Sequence, residues 1–193
     1  MLIRSAATDY DLQGRIRGIL DMPLAAAGIA EAERAADAAR SARPQAVYAA
    51  NAPCALETAG IVARACGLAV RRLKTLRGFD QGLWQGMLVE ELCRRQPRLA
   101  RQWQEHPWSI APPEGESLEA VCSRVEDALE TILDRHASGR VVLVVPPPLD
   151  RLVRWLVSGE PLDDLWRNGA AALLHDIPLA AQWRPARERQ PTA

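Results

Sequence analysis

Val141-Val142-Leu143-Val144-Val145-Pro146-Pro147-Pro148 is the stretch that decides the fold. Five consecutive apolar residues, mostly β-branched, suit a central strand covered on both faces, as in a parallel sheet. A helix is expected on each side of it. Downstream, Leu149 to about Val157 reads as helical and stops near Gly159. Upstream, Ser117 opens a long amphipathic segment in which Leu118, Val121, Val125, Leu129, Ile132 and Leu133 share one face.

The same alternation runs outward to the start of the chain. Met1 to Ile3 is strand-like, Ala26 to Ala42 is an alanine-rich helix, and Ala46 to Ala49 is a short buried strand. Leu56 to Cys66 is helical and ends at Gly67, which suits a left-handed cap. Leu68 to Leu73 returns as a strand, and Val89 to Trp103 carries helix interrupted at Pro97. Glu105 to Gly115 is a proline-rich loop, and Ala170 to Ile177 gives edge strands. Strands alternating with helices predict an α/β three-layer sandwich, a mostly parallel central sheet with helices on both faces. Residues 1–183 are expected to form one domain and 184–193, polar and proline-containing, a flexible tail.

Composition narrows the partners. Lys+Arg and Asp+Glu balance at 24 each, so no global field draws nucleic acid or an anionic membrane. No apolar run is long enough to span a bilayer, and the start of the chain lacks the pattern of a secretory leader. Cys54, Cys66, Cys93 and Cys122 lack paired metal-ligand spacing, and His106, His136 and His175 lie far apart. The expectation is reduced thiols in a cytoplasmic protein, with neither metal nor cofactor.

Ligands of open α/β sheets bind outside the carboxyl ends of the strands. Three loops therefore matter: those after Ile3, after Ala49 and after Val145. The first begins Arg4-Ser5-Ala6-Ala7-Thr8 and continues through Gly14-Arg15, Gly18 and Leu20-Asp21-Met22-Pro23-Leu24. Ala55-Leu56-Glu57-Thr58-Ala59 follows the second strand. Phe79-Asp80-Gln81-Gly82, with Trp84 and Gly86, and Pro113-Glu114-Gly115-Glu116-Ser117 complete the set. In this order and spacing the motifs resemble the histidine phosphatase (phosphoglycerate mutase-like) superfamily, from Leu2 to about Leu174.

The resemblance implies phosphoryl transfer through a phosphohistidine. One imidazole attacks phosphorus, two arginines and a second histidine hold the phosphoryl oxygens, and a carboxylic acid protonates the leaving group. Carried over by position, the first arginine is Arg4, the nucleophile position is Ser5, and the second arginine position is Cys54. The acid position is Gly78 and the second histidine position is Pro147. Arg15, Arg17 and Asp11, the last in place of a frequent asparagine, join Arg4 as candidate ligand-binding residues. Asp11 repels an anion where Arg17 attracts one. Three prolines remove the backbone donors that a strand-to-helix turn offers an anion.

The residues leave alternatives open. Ser5 is either a small filler of vacated space or a nucleophile still in need of a base. Cys54 is either a core cysteine or a thiol activated by a helix N-terminus near Arg4. Arg4 contacts either an anion or an internal carboxylate, Asp11 or another. Trp103 and Trp108, flanking the proline-rich loop, serve packing or a ligand. Taken together, the positions predict a histidine phosphatase-like pseudoenzyme that binds an anionic small molecule or a protein partner, with homodimerisation open. The alternative is an active phosphatase or phosphomutase using Ser5, Cys54 or His106 in rearranged chemistry.

Overall fold

A computed structural model describes residues 1–136, 138–162, 165–166, 173–177 and 183. The strands are β1 (Leu2–Arg4), β2 (Ala46–Ala50), β3 (Val70–Leu73), β4 (Val141–Val145) and β5 (Leu174–His175). The helices are α1 (Asp9–Leu12), α2 (Ala26–Ser41), α3 (Pro53–Cys66), α4 (Val89–Arg95), α5 (Pro97–Glu105), α6 (Leu118–Arg135) and α7 (Leu149–Ser158). The sheet order is β3-β2-β4-β1-β5. Its first four strands are parallel, and β5 runs antiparallel at the β1 edge. The α/β reading holds.

Burial explains why β4 reads so clearly. It lies between β1 and β2, with Leu143 opposite both Leu2 and Tyr48. Residues 142–145 are all buried, as is every residue of β2. Successive side chains point to opposite faces, so unbroken burial means that both faces are covered. Helices α2 and α3 pack together, with α3 on β2, β3 and β4; α6 packs on α7, and α7 on β1.

Helix boundaries follow their caps. Helix α3 starts three residues earlier than expected because Pro53 takes the first helical position, where a missing N–H costs nothing. It ends at Gly67 with φ +67°, the left-handed cap expected. The Ser117 hydroxyl accepts from Ala120 N–H and starts α6. On α6, Leu118, Val121, Val125, Leu129 and Ile132 are buried as predicted, while Leu133 is half-buried. The break at Pro97 separates α4 from α5. Of the expected edge strand, 174–175 is strand, while 170–172 and the predicted tail 184–193 lie outside the described residues. Helix α1 was not anticipated: four residues carry no periodicity. A reciprocal capping box starts it, Thr8 with Asp11.

No helix among the described residues is long and apolar enough to cross a membrane.

Candidate functional site

The carboxyl ends of β1 and β4 are adjacent, Arg4 opposite Val145. The loop 5–8 leaves β1 there, and its backbone donors are all taken. Ser5 N–H donates to Val145 O at 2.7 Å, and Ala6 N–H to Thr58 Oγ1 at 3.0 Å. Ala7 N–H donates to Glu31 Oε2 at 3.1 Å and Thr8 N–H to Asp11 Oδ2 at 2.8 Å. Thr58 in turn donates its hydroxyl proton to Cys54 O at 2.8 Å, which ties α3 to the loop. The turn from β4 into α7 is Pro146-Pro147-Pro148, so its first backbone donor is Leu149 N–H, spent on Pro146 O.

Ser5 and Cys54, onto which the resemblance puts the nucleophile and the second arginine, are neighbours inside this junction. Both are buried, at 3% and 2% exposure. The Ser5 hydroxyl lies beside the Cys54 thiol, yet Oγ makes no hydrogen bond of regular geometry. Burial pushes the Cys54 thiol up, against smaller downward pulls from Arg17 and Ser5. This corrects the activated-thiol alternative: burial outweighs any activation, and the cation acting on the thiol is Arg17, not Arg4.

Arg17 and Asp11 neutralise each other. Arg17 Nη1 donates to Asp11 Oδ2 at 3.2 Å, with the side chains 3% and 14% exposed. The same oxygen accepts from Thr8 Oγ1 at 2.7 Å, so Asp11 is both helix cap and counter-ion. Arg17 Nη2 is buried without a partner. Arg15 is held at the rim, donating from Nη1 to Gly86 O at 2.6 Å and from Nε to Gln13 Oε1 at 2.9 Å.

Arg4 does not meet Asp11. The carboxylate that acts on it is Asp150, in the first turn of α7. Asp150 is 1% exposed. Burial pushes its carboxyl up, and Arg4 and then Arg151 pull it back. Arg4 Nε and Asp150 Oδ1 are both buried without hydrogen-bond partners.

Gly78, the acid position, sits under the loop that carries Gly18. A Cβ placed on it lies 2.5 Å from Gly18 O. Two anchors hold it there: Arg124 Nη2 donates to Gly78 O at 3.2 Å, and Gln85 Oε1 accepts from Ile19 N–H at 2.7 Å. A carboxylic side chain at this position requires the Gly18 loop to move.

A cleft of about 30 Å³ remains, lined by Asp11, Arg15, Arg17, Gln81, Pro147 and Trp166 among others. That is room for about one or two water molecules. Arg4, Ser5 and Cys54 are not among the residues that line it. Trp166 Nε1 donates to Gln81 Oε1 at 3.3 Å and packs against Trp84, centroids 5.2 Å apart. Trp103 is core, against Phe79 and Trp84, and Trp108 packs on Trp155 at 5.0 Å. No cluster of three metal-ligating side chains occurs among the described residues.

This sheet order, with its ligand end built from the loops after β1, β2 and β4, coincides with a match to a known family. Residues 1–174 match the Histidine phosphatase superfamily (branch 1). The chain belongs to that superfamily. Phosphoserine phosphatase 1 of Hydrogenobacter thermophilus is 31% identical over 169 residues, covering 88% of this chain and 80% of its own length. Phosphoglycerate mutase-like protein 4 of Arabidopsis thaliana is 31% identical over 147 residues. The match spans 75% of this chain and 64% of the plant protein. A mycobacterial glucosyl-3-phosphoglycerate phosphatase in complex with VO3 superposes with a TM-score of 0.76 at 26% identity, covering 83% of this chain and 82% of that one. Bacillus stearothermophilus YhfR gives 0.74 at 29%, covering 86% and 82%. The five positions assigned from the resemblance fall on Arg4, Ser5, Cys54, Gly78 and Pro147.

Asp150 escaped the sequence reading, as did the contacts of Thr58 and Gln81, which appear there only as members of motifs. An acidic residue in a first helical turn reads as a solvated partner of the helix dipole. One signal existed: Asp150 adjoins the apolar stripe Leu149, Leu152, Val153, Leu156 and follows a turn without N–H donors.

Proposed function

We propose that this chain is a non-catalytic member of the histidine phosphatase superfamily, a cytoplasmic binding protein for a small molecule or a protein partner. One observation carries the reading: every backbone N–H of the loop 5–8 is spent internally, and the β4–α7 turn has none before Leu149. Phosphoryl transfer works chiefly by positioning and by charge stabilisation through preorganised donors. A site without free backbone donors in these two loops, without an imidazole at Ser5 or Pro147 and without an acid at Gly78 keeps only guanidinium groups for that work. The free thiols support the intracellular setting.

Phosphate release from p-nitrophenyl phosphate, phosphoserine and 3-phosphoglycerate tests it. The expected rate equals that of a heat-denatured control. Turnover above that control, abolished by Ser5→Ala or Cys54→Ala, would overturn the proposal in favour of rearranged catalysis.

A further inference from the structure

The cleft beside Pro147 is lined by a buried donor that the fold does not use. Arg17 lines it, with a side chain 3% exposed. Arg17 Nη1 donates to Asp11 Oδ2 at 3.2 Å, while Nη2 is buried without a partner. That same Asp11 oxygen also accepts from the Thr8 hydroxyl and N–H, so Asp11 is fully committed. A buried charged donor left unmade is costly, and an exception of this kind calls for a reason. A ligand oxygen in the cleft provides one.

Charge and size decide which oxygen. Among the described lining residues the charged ones are Arg15, Arg17 and Asp11, so two guanidiniums against one carboxylate leave one positive charge. Arg15, at the rim, gives its hydrogen bonds to neutral oxygens, Gly86 O and Gln13 Oε1, which leave its charge uncancelled. The cleft volume of about 30 Å³ takes about one or two water-sized atoms, which matches the two oxygens of a carboxylate. A phosphoryl group brings at least three oxygens and needs several donors, whereas Pro147 and Pro148 in the wall offer no N–H. Ile16, Val89 and Trp166 make the remaining wall apolar, which suits a short hydrocarbon stem.

We propose that this cleft binds the carboxylate of a small apolar monocarboxylic acid, with Arg17 Nη2 as its donor and Arg15 as the uncancelled charge at the mouth. The inference rests on the non-catalytic binding reading above and names its ligand class.

The test follows the indole N–H resonance of Trp166 in the full chain, assigned with Trp166→Phe, as sodium isobutyrate is added. A saturable shift is expected. The neutral isostere isobutyramide is expected to bind at least about tenfold more weakly, because its hydrogen bond to Arg17 carries no charge of its own. Inorganic phosphate at equal ionic strength is expected to leave the resonance in place. Arg17→Lys keeps a cation opposite Asp11, removes Nη2, and is expected to weaken isobutyrate at least about tenfold. Arg15→Gln is expected to weaken it about threefold, the scale of an exposed charge. No saturable shift, an amide that binds as tightly as the acid, or phosphate that displaces isobutyrate overturns the proposal. So does an Arg17→Lys protein with wild-type affinity. If Arg17→Lys fails to fold, Arg15→Gln with unchanged affinity refutes the charge assignment. Phosphatase turnover by wild type would instead refute the non-catalytic reading, and the isobutyrate titration would still decide the ligand class.

Discussion

The clamp around Glu116 and the junction around Arg4 lie in the same molecule and treat the Glu116 and Asp150 carboxylates in opposite ways, although Arg124 Nε in the clamp is itself buried without a partner. Glu116 is saturated: Oε1 accepts from Arg77 Nη2 at 2.9 Å, and Oε2 from Arg124 Nη2 at 2.7 Å and Asp80 N–H at 3.1 Å. Beside it Gly82 and Gly115 interlock. A Cβ on Gly82, at φ +48°, meets Pro113 O, and one on Gly115 meets Asp80 O at 2.6 Å. At the Arg4 junction, Arg4 Nε, Ser5 Oγ, Arg17 Nη2 and Asp150 Oδ1 are buried without partners. Buried polar groups are ordinarily satisfied, and each exception calls for a physical reason. Here the reason is positional. The clamp fixes the backbone of residues 80–83 against residues 112–116, so the fold depends on its geometry. The junction lies at the carboxyl ends of β1 and β4, where open α/β sheets bind ligands, and its geometry is not what the fold depends on.

That contrast is broken or sharpened by substitution, and the largest effect is expected in the clamp. Gly82→Ala forces a side chain into a left-handed backbone and onto Pro113 O, at a cost of about 3 kcal/mol. Urea unfolding measures it, and a loss below about 1 kcal/mol would remove the interlock from the account. Glu116→Gln comes next, at about 2 kcal/mol from charge-assisted hydrogen bonds.

The sign with pH follows from Glu116 itself. Burial pushes its carboxyl up, but the hydrogen bonds from Arg124, Asp80 and Arg77 outweigh it and hold the carboxyl below its ordinary range. A depressed carboxyl stabilises the fold above its unfolded pKa and loses that contribution as pH falls through the folded one. The Glu116→Gln deficit should therefore be full at neutral pH and shrink on acidification into the carboxylate range. A deficit independent of pH would mean that the clamp holds by packing.

The smallest effect is expected in the pocket. Ser5→Ala removes a buried hydroxyl that meets the Cys54 thiol without a hydrogen bond of regular geometry, so stability should stay within about 0.5 kcal/mol of wild type or rise. A loss above about 1 kcal/mol would reveal a hydrogen bond at Ser5 and erase the contrast with Glu116.

Much of the fold was legible in the chain because it depends on local rules. Val141–Val145 announces a two-sided strand, Gly67 a left-handed cap and Ser117 a helix start. The order of motifs led to the superfamily. Partnerships were not legible. Arg4 reads as facing either an anion or an internal carboxylate, Asp11 or another, because nothing in the sequence announces the fold-back that pairs Asp11 with Arg17. Cys54 reads as either core or activated, because a helix start is visible in sequence and burial is not. Gly78 reads as a vacant acid position, when the Gly18 backbone occupies the space a side chain needs. Asp150 passes for a surface residue until β1 and β4 are set side by side. These are long-range facts, made by the sheet order.

The central claim is that no side chain in the closed pocket accepts a phosphoryl group. Intact-mass spectrometry after incubation with excess phosphoramidate and p-nitrophenyl phosphate, quenched without acid to preserve a labile phosphohistidine, tests it most directly. The account predicts only the unmodified mass. A phosphoryl adduct that maps to Ser5, Cys54 or His106 and is discharged by water would contradict it.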